Sequence, residues 1–251
     1  MNEKRDPAAA ARADVQPKRI RRFYERAEVR PAEGGFELAL DSRPARTPGR
    51  NRLMSPDRAL MERVAAEWRA QGEALDPAAM PLTRLLNAAL DGVSRKMADT
   101  RAEAARYAES DLLCYRAEGP ETLAERQRAA FDPVLEWAAE ALGARFVLAA
   151  GVMPVVQPAD AAAAVRAALD AIDDPLALAA VSTMTSLTGS VLLALAVARG
   201  RLTPEAAWRA AHIDEDFQAE RWGADDEAAA RREARWREMA AAGFAVRAGA
   251  D

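Results

Sequence analysis

PAEGGFELALD, at residues 31–41, is the stretch that decides the fold class. Its apolar residues Phe36, Leu38 and Leu40 alternate with less apolar ones, which is the period of two of a half-buried strand. The paired glycines before them can adopt positive φ and form a turn after the segment Phe23–Val29. The two segments therefore predict a β-hairpin. The prolines and glycine that follow favour a small twisted sheet over a helix.

Helices are predicted on the C-terminal side of this hairpin. Ser55-Pro56-Asp57 combines a capping serine with a proline at the first helical position, and an amphipathic stretch runs from about Pro81 to Val93. Phe146–Val156 interrupts the later helical pattern and predicts a short hairpin around Gly151. Beyond residue 94 helices are predicted at roughly Ser94–Asp111, Glu121–Leu142, Pro158–Ile172, Pro175–Arg199, Thr203–Trp222 and Asp225–Ala242.

The predicted fold class is α+β. We expect a small mixed α/β N-terminal domain at residues 19–93, in which helices cover a twisted antiparallel sheet. A larger, mainly α-helical C-terminal domain is expected at residues 94–243. Residues 1–18 combine low hydrophobicity, two prolines and an alanine run, which predicts a disordered tail, and residues 244–251 form a second tail.

Composition excludes several classes of protein. The 251 residues include 35 basic and 39 acidic ones, so the net charge of -4 argues against nucleic-acid binding. Half of the residues are apolar, which excludes an intrinsically disordered chain. The longest nearly apolar stretch, Leu187–Ala198, is too short to span a membrane and predicts a buried helix. No signal peptide is apparent, so we expect a cytoplasmic monomer without membrane insertion.

The sequence offers little for catalysis. It contains no phosphate-binding loop, no G-x-S-x-G elbow, no H-E-x-x-H motif and no G-x-G-x-x-G motif. Its single cysteine, Cys114, lies among apolar residues and is interpreted as a buried small hydrophobe rather than a nucleophile. Its single histidine, His212, has no partner in a local motif and is interpreted as a surface or hydrogen-bonded residue rather than a general base. We therefore predict no catalytic residues, no metal and no cofactor.

An acidic cluster, Asp214-Glu215-Asp216 with Glu220, is the feature that most resembles a site. It lies where the apolar stripe of its helix would continue, which indicates a buried ion pair, an exposed docking face, a frayed helix end or a solvated helical face. A hydrolase or transferase that uses these carboxylates remains an alternative, and so does a scaffold for some other protein. Glycosidase chemistry would require a second carboxylate across a cleft.

Several ordered motifs make the chain resemble a known family. They are Arg22-Phe23-Tyr24, Gly34-Gly35-Phe36, Leu40-Asp41-Ser42-Arg43-Pro44, Arg46-Thr47-Pro48, Ala66-Glu67-Trp68-Arg69-Ala70-Gln71-Gly72, Met80-Pro81-Leu82-Thr83-Arg84-Leu85, Ser110-Asp111-Leu112-Leu113-Cys114-Tyr115-Arg116, Asp214-Glu215-Asp216-Phe217-Gln218 and Arg221-Trp222-Gly223. In this order, over residues 19–243, the sequence resembles the chaperones that assemble the catalytic head of the F-type ATP synthase, the ATP-twelve family. The short N-terminal tail makes it similar to a bacterial member.

This resemblance implies a chaperone without ATPase activity. Its partner would be the unassembled alpha subunit, whose interface with the beta subunit it would shield from aggregation and release during assembly of the ring. The family's two-part architecture matches the fold predicted from the residues. By resemblance Glu215 is expected to dock the client, and the other expected client-binding candidates are Asp216, Gln218, Glu220, Trp222, Trp68, Arg84 and Asp111. A tryptophan on the apolar line of its helix is explained equally well as a core anchor.

Overall fold

The N-terminal sheet is built on the predicted hairpin. In the computed structural model, which describes residues 20–151, 153–223 and 225–248, strand β1 (Ala27–Ala32) pairs antiparallel with β2 (Gly35–Leu40). Gly35 has φ of +138°, and a Cβ there would lie 2.4 Å from the Ser55 carbonyl oxygen, so only glycine fits the turn. The hairpin is thus confirmed, although its first strand begins at Ala27 rather than Phe23. The predicted tail at residues 1–18 lies outside the described residues.

Two short strands complete this sheet. β3 (Arg43–Pro44) and β4 (Met54–Ser55) both pair antiparallel with β2. Leu38 of β2 is fully buried against the helices. On the opposite face of β2, the buried carboxylate of Glu37 accepts hydrogen bonds from Arg52, the shorter at 2.6 Å. Burial of a charge requires such a partner, so the polar face of the strand is also fixed in register.

Two helices cover the sheet. α1 (Arg58–Arg69) begins at Asp57, whose carboxylate accepts hydrogen bonds from the first free backbone N–H groups, so the cap is this aspartate rather than Ser55. α2 (Pro81–Asp91) begins beside Glu67 of α1. The Glu67 carboxylate accepts hydrogen bonds from the backbone N–H groups of Leu82 and Thr83 at 2.7 and 2.8 Å. One helix therefore caps the next.

The remainder of the described chain is mainly helical. These helices are α3 (Met97–Ala105), α4 (Glu121–Trp137), α5 (Ala159–Asp170), α6 (Pro175–Thr188), α7 (Val191–Ala198), α8 (Pro204–Ala211), α9 (Ile213–Trp222) and α10 (Asp226–Ala248). α6 is the central helix and packs against α2, α3, α7 and α10. Every residue of α7 except its last is buried, as the apolar stretch predicted. One apolar core continues from the sheet to α10, and the α+β class is confirmed. The described residues contain no helix with the length and apolar character that a membrane span requires.

Three sequence predictions are corrected. The predicted helix Pro175–Arg199 is two helices, because Gly189 adopts φ of +69° and Ser190 caps the second. The predicted helix Thr203–Trp222 divides at His212, whose backbone is not helical. The predicted hairpin around Gly151 is wrong. Instead β5 (Tyr115–Arg116) and β6 (Ala149–Ala150) pair in parallel.

Candidate functional site

α9 presents the candidate site, and its acidic first turn explains where it begins. Asp214, Glu215 and Asp216 lie at its positive end, where carboxylates are stabilised by the helix dipole. The helix ends at Gly223, which adopts φ of +88°. Its one buried side chain is Phe217, whose ring contacts the guanidinium groups of Arg126 and Arg221. Phe217 and the partly buried Ile213 therefore provide the apolar contact of the helix with the rest of the protein.

Three acidic side chains of α9 hold it against its neighbours. The Asp214 carboxylate accepts a 2.7 Å hydrogen bond from the Gln127 side chain of α4. Glu220 accepts two hydrogen bonds from Arg126, also of α4, at 2.8 and 2.9 Å. Asp216 forms an ion pair with Arg232 of α10. These pairs are partly exposed, so each contributes about 0–1 kcal/mol, and their main effect is to fix the helix orientation.

The outward face of α9 consists of Glu215, Gln218 and Trp222. Their spacing of three and four residues places them on one side of the helix. The Glu215 side chain is 62% exposed, Gln218 is exposed, and Trp222 is 78% exposed. An exposed tryptophan between polar groups is typical of a surface that a protein partner covers.

Below this face, His212 is buried in an aromatic cluster. Its Nδ1 lies 2.7 Å from the carbonyl oxygen of Trp208, and its ring centroid lies 3.8 Å from that of the same tryptophan. Its Nε2 faces Oε2 of Glu215 at 3.9 Å. Burial lowers the pKa of His212, while the Trp208 carbonyl and the Glu215 carboxylate oppose that change. A neutral ring that donates from Nδ1 satisfies the contact with Trp208 and leaves Nε2 as an acceptor, so the histidine positions the base of α9 through Trp208.

The other three predicted candidates lie on different elements and make contacts within the protein. The indole Nε1 of half-buried Trp68 donates a 3.1 Å hydrogen bond to Oγ1 of Thr83. Arg84 forms a 2.7 Å ion pair with Glu238 of α10. Asp111 is fully buried and accepts backbone hydrogen bonds at the start of α7. The structure does not bring these three to the outward face of α9.

Asp111 connects two parts of the helical region. Its carboxylate accepts hydrogen bonds from the backbone N–H groups of Leu113 and Leu192, at 3.1 and 3.2 Å. Burial raises the pKa of Asp111 to about 6, although these bonds and one from Ser190 act in the opposite direction. The neighbouring thiol of Cys114 is also buried, and burial raises its pKa to about 12. A thiol with that pKa is a poor nucleophile.

An exposed apolar segment was missed by the sequence analysis. Its exposed apolar side chains are Val147, Leu148, Met153 and Val156, and the last two are 72% and 92% exposed. Gln157 holds the base of this segment, because its side-chain amide exchanges two 2.9 Å hydrogen bonds with the backbone of Val147. The sequence signal for this segment was a run of apolar residues without helical periodicity. The hairpin prediction interpreted that run as paired strands, which would have buried it.

Comparison with known proteins gives matches over nearly the whole chain. A family model described as ATP12 chaperone protein matches residues 21–139. A solved structure from Agrobacterium tumefaciens, described as a candidate chaperone, is 46% identical with a TM-score of 0.86, covering 98% of this chain and 92% of that one. Atp12 from Paracoccus denitrificans is 40% identical with a TM-score of 0.81, covering 91% of this chain and 98% of that one. Both solved relatives are bacterial.

Proposed function

Since the chain belongs to the ATP12 chaperone family, we propose that it binds the unassembled alpha subunit of the F-type ATP synthase head. It covers the surface that the alpha subunit later uses to contact the beta subunit, and releases it as the ring assembles. The observation that carries this proposal is the match to Atp12 at 40% identity over 91% of the chain. In a bacterium this activity belongs in the cytoplasm, where the subunit is made.

The outward face of α9 supports a docking role for this helix. Trp222 offers a large apolar side chain, and Glu215 and Gln218 offer an acceptor and an amide at the spacing of one helix face. Interfaces often concentrate their binding free energy on a tryptophan surrounded by polar groups. We assign client contact to these three residues. Asp216 and Glu220 lie beside them as the rim of the surface, held by Arg232 and Arg126.

The remaining candidates support the surface from within. Trp68 bonds to Thr83, and the next residue, Arg84, pairs with Glu238 of α10, which is also the helix that holds Asp216. Asp111 joins the start of α7 to the helical turn Leu112–Cys114. Their proposed contribution is therefore to the position of the helices that carry the site, rather than to direct contact with the client.

The exposed apolar segment near Met153 supports the same activity. An unassembled subunit exposes apolar surface through which it would aggregate, and a chaperone needs exposed apolar surface of its own to cover it. Release follows from competition by the beta subunit, since the sequence contains no phosphate-binding loop that would couple release to nucleotide hydrolysis. The affinity must therefore be low enough for the proper partner to displace the chaperone.

Isolation of the tagged protein from its native cell tests the proposal. Mass spectrometry of the co-purified proteins is expected to show the alpha subunit enriched over the beta subunit. Glu215→Gln preserves the size of the side chain and removes its charge, so it is expected to reduce the recovered alpha subunit. Glu33→Gln, the same change at an exposed residue in the turn between β1 and β2, is the matched control and should leave recovery unchanged. Dominance of another partner would contradict the assigned client.

A further inference from the structure

A second candidate binding surface lies on the N-terminal sheet, and none of the residues that line it belongs to α9. A cleft of about 630 Å³ opens between the sheet and the C-terminal end of α1. Its walls include three aromatic rings, one aliphatic side chain and two arginines, namely Phe23, Tyr24, Trp68, Leu40, Arg43 and Arg46. The volume lies within the range of clefts that hold ligands.

The floor of this cleft is a fixed aromatic platform. The ring centroids of Tyr24 and Trp68 lie 5.5 Å apart, and the Tyr24 hydroxyl donates a 2.6 Å hydrogen bond to the Trp68 carbonyl oxygen. Arg22 holds the platform from the side, since its guanidinium donates to three backbone carbonyls and lies 4.6 Å from the Tyr24 ring. At the mouth, Phe23 meets Tyr24 edge-on and remains 65% exposed. A large apolar side chain therefore has a prepared contact surface.

The rim of the cleft is positively charged. Arg43 and Arg46 are exposed, and within residues 20–151, 153–223 and 225–248 neither forms a salt bridge. The carboxylate of Asp41, which also lines the cleft, accepts hydrogen bonds from the backbone N–H groups of Glu25 and Arg26 at 2.8–3.1 Å. Those bonds lower the pKa of Asp41, and its carboxylate is bound by backbone N–H groups rather than by an arginine of the rim. Arg46 donates one hydrogen bond from Nη1 to the Arg50 carbonyl oxygen at 2.8 Å, and its other N–H groups and the Arg43 guanidinium face a carboxylate that enters the cleft.

We propose that this cleft binds an acidic, extended segment of a protein partner. One large apolar side chain of that segment contacts the exposed ring of Phe23 and half-buried Trp68, and flanking Asp or Glu side chains pair with Arg43 and Arg46. Arginine suits this role because its planar group binds carboxylates in a bidentate manner. A protein segment fits better than a nucleic acid, since the chain carries a net charge of -4 and the rim supplies only two arginines. This binding site is additional to the client surface of α9.

Fluorescence anisotropy with a labelled peptide tests this site on the full-length protein. The probe is Gly-Glu-Asp-Leu-Phe-Asp-Glu-Gly, and a second probe replaces each acid with its amide. We expect the acidic probe to bind more tightly than the amide probe, and binding to weaken as salt is added. Arg43→Glu combined with Arg46→Glu should weaken binding on the order of tenfold or more. Phe23→Ala should weaken it in a salt-independent manner.

Control variants make each outcome decisive. Arg145→Glu combined with Arg166→Glu makes the same charge change at two exposed residues that do not line the cleft, and should leave the anisotropy titration unchanged. If the control variant lost as much affinity for the acidic probe, the attraction would be a diffuse effect of charge and the proposal would be overturned. Failure of the wild-type protein to bind the acidic probe would also overturn it. Tighter binding of a single-stranded oligonucleotide of similar length would assign the cleft to nucleic acid instead. Thermal unfolding of each variant confirms that it is folded.

Discussion

Trp222→Ala is expected to weaken binding of the alpha subunit strongly while leaving the free energy of unfolding almost unchanged. A tryptophan side chain buries about 150–250 Å² when it is covered. Because 78% of Trp222 is exposed in the free protein, little of that area contributes to folding. The substitution should therefore change the free energy of unfolding by no more than about 0.5 kcal/mol.

The loss of binding follows from the same exposed fraction. Covering 78% of a tryptophan by a partner contributes at most about 3–5 kcal/mol at about 25 cal/mol per Å². The lost freedom of the associating molecules and side chains offsets part of that contribution. We therefore expect Trp222→Ala to cost about 2 kcal/mol or more in binding, which is roughly a 30-fold increase in Kd. Trp222→Phe should retain part of the affinity, because it keeps an aromatic ring.

Isothermal titration with the purified alpha subunit measures this change. Ile20→Ala is the matched control, since Ile20 is also a large exposed apolar residue, at 65%, and lies outside α9. Circular dichroism should give the same Tm for both variants and the wild type. If Trp222→Ala and Ile20→Ala bound the alpha subunit with the wild-type Kd, α9 would not be the docking surface and the reasoning from exposure would be refuted.

Three further predictions concern stability and reactivity. Glu67→Ala removes the cap of α2 and leaves the N–H groups of Leu82 and Thr83 without their acceptor. The free energy of unfolding, measured by urea denaturation, should therefore fall by about 2–3 kcal/mol. An unchanged urea midpoint would contradict the capping role. Burial raises the pKa of Asp111 from 3.8 to about 6, so the folded state holds this proton more tightly than the unfolded state. The stability of the wild type relative to Asp111→Asn should therefore fall by roughly 3 kcal/mol as pH rises from about 3 to about 7, whereas a constant difference in urea titrations would contradict the raised pKa. Burial raises the pKa of Cys114 to about 12, so iodoacetamide at about pH 8 should modify this thiol only in denaturant. Rapid alkylation of the native protein, detected by mass spectrometry, would contradict this prediction.

The elements that could be predicted from sequence are those with local signals. The alternation around Leu38 and the paired glycines specify the hairpin, and the apolar stretch of α7 specifies a buried helix. The break at Gly189-Ser190 has a local signal too, because glycine permits positive φ and serine caps a helix. A run of helix-forming residues outweighed that signal in the sequence interpretation. The break at His212 has a weaker signal, since the buried ring is held by Trp208 and its environment becomes apparent only in three dimensions.

The motif residues divide into two classes that sequence alone does not separate. Glu67 caps α2, Asp111 caps the start of α7, and the Thr47 hydroxyl donates a 2.5 Å hydrogen bond to the Asp91 carboxylate. These polar residues resemble functional ones in sequence, yet their bonds build the fold. By contrast, Trp222, which the resemblance made a client-binding candidate, is 78% exposed. Burial, which depends on contacts between distant elements, decides the difference.

Size-exclusion chromatography with light scattering, on the purified protein mixed with isolated alpha or beta subunit, tests the central claim most directly. The account predicts a one-to-one complex with the alpha subunit, no complex with the beta subunit, and loss of the first complex when the beta subunit is added. An equal complex with both subunits, or a complex with the alpha subunit that the beta subunit cannot displace, would contradict the assignment of this protein as a chaperone for the alpha subunit's assembly interface.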